Sequence, residues 1–213
     1  MVSNLKWKVA QQLEIKWWQR YLKHKNVDEY LSWKKKYWID FLQHIPDLPK
    51  LEQLQVLDAG CGPAGIFMVL DKNKVDAVDP LINQYQALPH FDVSNYTHTQ
   101  FISKSIEEID VIEKYDVIFC LNAINHVADI QLAYHKLANA LKKGGQIYVS
   151  VDAHRFAILK KIFQILPGDA LHPHQYDLQE YEAFLKSEHL NVFSSILIKK
   201  EPIFDYYLCI AKK

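Results

Sequence analysis

The stretch VLDAGCGPAG, residues 56–65, constrains this chain more than any other. An apolar run ends in Asp58, and Gly60, Gly62 and Gly65 then follow in the spacing G-x-G-x-x-G. That spacing carries weight only between a strand and a helix. Both are expected here, a strand over 54–57 and a short helix over 66–71. The glycines answer a physical need: the backbone must turn tightly and let a ligand come close, and a Cβ would obstruct both. Asp79 ends the next apolar run about 20 residues on, where a ribose-binding acid belongs.

The pattern that follows alternates. Strands are expected over 75–78, 100–102, 117–121 and 147–151, with helices over 81–88, 106–112 and 129–141 between them. Run 117–121 is apolar throughout, as a strand buried on both faces should be. Lys142-Lys143-Gly144-Gly145 reads as a helix stop with glycine at the C-cap. Strands alternating with helices imply a parallel sheet covered on both faces. The end differs. After a helix over 177–187, with Asp177 at its N-cap, runs 192–199 and 203–211 are separated only by Lys200-Glu201-Pro202. That connection allows a hairpin but no parallel crossover, so one strand near the C-terminus is antiparallel.

Residues 1–50 are chemically distinct. They hold ten Lys/Arg and five Asp/Glu, and all five tryptophans (Trp7, Trp17, Trp18, Trp33 and Trp38). Helices are expected over 5–23 and 28–44, and Pro46 and Pro49 mark a boundary. The whole chain is neutral, which with one short basic segment argues against a nucleic-acid partner. No apolar run approaches the roughly 18 residues that span a bilayer, and the N-terminus has no signal-peptide pattern. Cys61, Cys120 and Cys209 form neither a pair framework nor a C-x-x-C motif, which points to a reducing, cytoplasmic setting.

Asp58 and the terminal hairpin argue against a dinucleotide. A carboxylate at that strand end would repel a pyrophosphate and suits a ligand carrying an ammonium and a sulfonium. The chain resembles the class I S-adenosylmethionine-dependent methyltransferases over about residues 51–213. VLDAGCGPAG resembles the family's first motif. AVDP (77–80) resembles its ribose-binding strand end, and SKSIEEI (103–109) the segment over the adenine. YDVIFCLNAINHVAD (115–129) and LKKGGQIYVSV (141–151) resemble its fourth- and fifth-strand motifs.

The resemblance implies a Rossmann-like αβα sandwich. Its seven-stranded, mostly parallel sheet would carry one antiparallel strand within a methyltransferase domain over 51–213; residues 1–50, outside the resemblance, are expected to form a helical lid or extension. It also implies S-adenosylmethionine as cofactor and S-adenosylhomocysteine as product. Asp58 and the Gly60 and Gly62 backbone would hold the methionine portion, Asp79 would take the ribose, and Ser105 and Ile106 would border the adenine, with Asn122 beside the cofactor and Cys61 and Pro80 among the other cofactor contacts. Lys104 departs from relatives that carry an acid there.

Methyl transfer from a sulfonium needs positioning, and a base where the acceptor must lose a proton. His126, after the fourth strand, is the candidate base. Asn125, His172, His174, Tyr176, Tyr37 and Trp38 are candidate acceptor contacts for a small organic molecule methylated at O or N. The pair His172 and His174 has no Cys or carboxylate set to complete a metal site. The N-terminal aromatics read as core plus lid, in preference to a helix lying on an anionic membrane. Two other functions compete: a nicotinamide-dependent oxidoreductase on the same glycine loop, and a non-catalytic cofactor-binding protein acting through its N-terminal helices.

Overall fold

A computed structural model describes residues 4–156 and 174–213. Seven strands form one sheet: β1 Gln55–Ala59, β2 Lys74–Val78, β3 Thr99–Ile102, β4 Tyr115–Cys120, β5 Leu141–His154, β6 Asn191–Lys200 and β7 Phe204–Lys212. Their order is β3-β2-β1-β4-β5-β7-β6. Neighbours run parallel from β3 to β5, and β7 is antiparallel to both β5 and β6. The antiparallel strand is therefore where the three-residue connection requires it. The order reverses between β1 and β4, and open α/β sheets bind ligands at the carboxyl ends of strands at such a switch.

Alternate residues of the central strands feed two apolar clusters. Leu57, Ile118 and Cys120 face α4 (Ile130–Ala140) and α5 (Leu178–Ser187), through residues such as Leu137 and Tyr181. Val56, Val117 and Phe119 face the other way, into a cluster that also takes Leu22 from α1 (Asn4–Leu22) and Trp38 and Phe41 from α2 (Val27–Gln43). Period-two alternation on a sheet buried on both sides produces this division. Residues of the N-terminal helices thus share a core with the sheet.

The helix ends follow local chemistry. Asn26, Asp129 and Asp177 each accept the third following amide, at 3.1 Å, at the starts of α2, α4 and α5. Such caps contribute about 1 kcal/mol each. The helix expected over 66–71 is instead one short 3-10 turn, Ile66–Val69, preceded by another at Gly62–Ala64. Asp58 takes the Phe67 amide, and extended Gly65 separates the turns. Segment 106–112 is likewise one 3-10 turn, Ile106–Glu108, closed by a reciprocal Ser105–Glu108 capping box. The expected helix over 81–88 shortens to α3, Ile82–Tyr85. Glycine does not cap α4. The chain is already extended at Leu141, and Gly144 takes its positive φ inside an irregular start of β5.

Candidate active site

The glycine loop is held by its neighbours' polar groups. The Gly60 and Cys61 amides donate to the Val78 carbonyl at 2.7 and 3.2 Å. Gly60 has φ +72°, and a Cβ there would overlap the Ala123 side chain. Gly62 has φ +57° and donates its amide to Asp79 Oδ2 at 3.0 Å. The second Asp79 oxygen accepts from the Leu81 amide at 2.8 Å. A Cβ on Gly65 would overlap the Cys61 carbonyl and the Asp58 carboxylate. Close backbone approach accounts for two of the glycines and left-handed backbone for Gly60 and Gly62.

A cavity opens at the carboxyl ends of β1, β2 and β4. Gly60, Cys61, Gly62, Asp79, Pro80, Ser105, Ile106 and Asn122, all expected from the sequence, line it. His126 and Trp38 line it as well. The Trp38 indole donates to the Ala64 carbonyl at 2.9 Å, fixing α2 on the loop. Asn122 adopts φ +54°, and its amide donates to Ser150 Oγ at 2.8 Å.

Other expected residues lie elsewhere. Asp58 is buried beneath the loop, where its carboxylate accepts the Phe67 amide at 3.0 Å and braces the turn. Asn125 turns into the protein and accepts from the Tyr181 hydroxyl at 2.9 Å. His174 Nε2 lies 2.8 Å from the Val127 carbonyl, which only a protonated ring nitrogen can satisfy. Tyr176 packs among His174, Tyr181 and Phe184, and Tyr37 among Trp33, Trp38 and Phe41. None of these five lines the cavity, because each spends its polar or aromatic group on an internal partner. His172 lies outside the described residues.

The sequence reading missed the roof. Trp7, Gln11, Glu14 and Trp18 line the cavity from α1, and Lys34 joins Trp38 from α2. Their spacing of four, three and four residues places the α1 group on one helical face, a signal present in the sequence. Glu107 completes the wall. One of its oxygens accepts the Ala128 and Asp129 amides at 2.7 and 3.1 Å. Its other oxygen is buried without a hydrogen-bond partner among the described residues, as are Trp7 Nε1 and Gln11 Oε1. Three orphaned polar atoms around one cavity call for a ligand that supplies their partners.

The ionisable groups of the site are acidic and buried. Burial, with the charge of Asp79 adding to it, pushes the Glu14 carboxyl up to about 7 against a hydrogen bond from Trp18. Burial raises Asp58 to about 7 and Asp79 to about 6, although backbone amides hold both back. Lys34 is lowered to about 8 by burial alone. Burial also pushes the Cys61 thiol well up, so it stays protonated and is no nucleophile. Among the described residues no group of three or more His, Cys, Asp or Glu could hold a metal ion.

A family model described as a methyltransferase domain matches residues 30–200. The chain belongs to the methyltransferase-domain family. The chain is 29% identical over 102 residues to the ubiquinone biosynthesis O-methyltransferase of Rickettsia akari, a match covering 47% of this chain and 41% of that one. It thus spans about two fifths of the length of the curated relatives it matches. Among solved structures, the magnesium protoporphyrin IX methyltransferase of Synechocystis PCC 6803, crystallised with S-adenosylhomocysteine, superposes with a TM-score of 0.68 at 16% identity. That superposition covers 98% of this chain and 100% of the other. The 1,6-didemethyltoxoflavin-N1-methyltransferase of Burkholderia thailandensis follows at 0.58 and 15%, covering 89% and 91%. These likenesses establish the Rossmann-like fold of this family member.

Proposed function

We propose that this protein is an S-adenosylmethionine-dependent methyltransferase that acts on oxygen or nitrogen of a small organic acceptor and releases S-adenosylhomocysteine. The observation that carries the reading is the character of the cavity wall. Glu14, Asp79 and Glu107 line the space beside the glycine loop, with Lys34 the one lysine among the described lining residues. A pyrophosphate there would face three carboxylates, whereas a sulfonium and an ammonium would be stabilised by them. That weighs against the nicotinamide alternative, and membership of a methyltransferase family weighs against a purely non-catalytic role.

The residues present fit the cofactor. Gly60 and Gly62 offer a cradle that side chains would fill, and Asp79 stands at the end of β2 for the ribose hydroxyls. Ser105 and Ile106 border the space for the adenine, and Glu107 and Gln11 present unsatisfied acceptors. S-adenosylmethionine bound there supplies a methyl group already activated on sulfur. The protein then excludes water with the indoles of Trp7, Trp18 and Trp38, orients the acceptor, and takes up its proton where one is lost. His126 is the candidate for that last role, since it lines the cavity and imidazole accepts a proton near neutrality. The name of the Rickettsia relatives favours a hydroxyl acceptor, which must lose its proton. Residues 1–50 serve as lid and part of the core. Three free, buried cysteines suit a reducing compartment such as the cytoplasm.

Calorimetric titration with S-adenosylhomocysteine and separately with NADH, on wild type and Asp79→Ala, tests the reading. Binding of S-adenosylhomocysteine alone, weakened by the substitution, is expected. Binding of NADH alone, or of neither, would sink it. Phenols, carboxylates and amines are then screened as acceptors.

A further inference from the structure

We propose that the outer face of α1 is a docking surface for an anionic lipid bilayer. The helix has two unlike sides. Trp7, Gln11, Glu14 and Trp18 turn inward to the cavity. Along its flank Val9, Leu13, Trp17 and Tyr21 recur every four residues and are 45%, 42%, 47% and 36% exposed. At 1.5 Å per residue this apolar stripe runs about 18 Å along the helix. The Trp17 and Tyr21 rings stack with centroids 4.9 Å apart, giving the stripe a flat aromatic end. Trp33 of α2, 52% exposed, continues the surface beyond Tyr30.

Charge decides the occupant. Lys8, Lys16, Arg20, Lys23 and Lys25 are all exposed. At helical spacing Lys16 and Arg20 border the apolar stripe, and Lys23 and Lys25 follow the end of the helix. The one acid of α1, Glu14, is on the cavity side. A two-fold contact with a second copy would set these cations against themselves. A nucleic acid would meet the cations and leave the apolar stripe wet. A bilayer with anionic headgroups satisfies both. Lys and Arg reach the phosphates, Trp and Tyr settle at the interface, and Val and Leu enter the acyl boundary. No helix among the described residues is long and apolar enough to cross a membrane, so the contact is interfacial.

Vesicle sedimentation of the full chain tests this, with phosphatidylcholine alone and mixed with phosphatidylglycerol. Wild type is expected to bind the mixed vesicles, weakly or not at all the neutral ones, and less as salt rises. Lys16→Glu with Arg20→Glu should weaken binding by at least about tenfold. Leu13→Gln with Trp17→Gln should weaken it comparably while keeping the wild-type far-UV spectrum and melting, since none of these four side chains lines the cavity. The proposal is overturned by wild type failing to bind mixed vesicles, or by both variants binding as wild type does. Dimerisation lost in the Leu13/Trp17 variant without vesicle binding would assign the face to a second copy. Tighter binding to an RNA or DNA oligomer than to vesicles would assign it to nucleic acid. The readout is independent of what the cavity binds.

Discussion

The Gly62 amide donates to Asp79 Oδ2 at 3.0 Å, which ties the turn of the glycine loop to the end of β2. The Leu81 amide holds the other oxygen at 2.8 Å. Asp79→Ala removes both acceptors and leaves two donors to find new partners, at a cost of about 1–3 kcal/mol. Urea denaturation should show that loss. Calorimetry should show S-adenosylhomocysteine affinity falling by about tenfold or more, the equivalent of one charge-assisted hydrogen bond to the ligand.

The acidity of the cavity sets a pH dependence. Burial raises the folded-state values of Glu14, Asp58 and Asp79 to about 7, about 7 and about 6, above their ordinary carboxylate values of 4.5, 3.8 and 3.8. Stability from these groups is fully present below about pH 4 and is lost as pH rises through roughly 6 to 7. A cationic ligand favours the ionised carboxylates, so its binding expels protons in that window. S-adenosylmethionine affinity should therefore rise between about pH 5.5 and 8, and by more than that of the uncharged-sulfur product. Titrations in buffers of different ionisation enthalpy count the protons released. Equal pH dependence for the two ligands would contradict the assignment of carboxylates beside the sulfonium.

Two glycines with similar backbone should respond differently to alanine. Gly60 and Gly144 have φ +72° and +79°, but a Cβ on Gly60 would overlap Ala123 and one on Gly144 would meet nothing within 4 Å. Gly144→Ala should cost only the left-handed backbone term, about 1–2 kcal/mol. Gly60→Ala adds overpacking of roughly 1–3 kcal/mol and distorts the loop. Denaturant midpoints should rank them accordingly, with ligand binding impaired in Gly60→Ala alone.

His126→Gln separates chemistry from binding. With His126 as the base, kcat on a hydroxyl acceptor should fall by about 10²-fold or more. S-adenosylhomocysteine affinity should stay within about twofold, as expected when an interaction made in the transition state is removed. An unchanged kcat would remove His126 from the mechanism.

Asn125→Ala tests a structural assignment. It takes the acceptor from the buried Tyr181 hydroxyl, leaving only a long 3.4 Å contact to the His174 carbonyl. The melting temperature should drop, for a loss of about 1–3 kcal/mol. The acceptor's KM should hold, since Asn125 does not line the cavity.

The sheet was legible in the sequence because strand period, glycine spacing and one short hairpin connection are local signals. Eight of the nine residues expected at the cofactor reach the cavity, since loop residues at strand ends have little freedom to point elsewhere. Asp58 is the exception: a carboxylate so near a tight turn finds a backbone donor, Phe67, before any ligand. Acceptor contacts were harder to read. Asn125 and His174 meet internal partners 56 and 47 residues away, which no local pattern reveals, and Tyr176 turns onto Phe184 of the following helix. The face of α1 formed by Trp7, Gln11, Glu14 and Trp18 was written in its spacing, but its direction depends on tertiary packing. Leu13 and Trp17 of the same helix stay exposed, so its aromatic content alone did not say which of its residues join the core.

Helix α1 is synthesised early, yet the walls it closes on extend from Gly60 to Val127. At about 5–20 residues per second, its aromatic inner face waits on the order of 5–20 seconds for something to cover. The indoles of Trp7 and Trp18 are solvated until those walls exist. The residues that line one side of the finished cavity are thus made before any of the strands they pack beside.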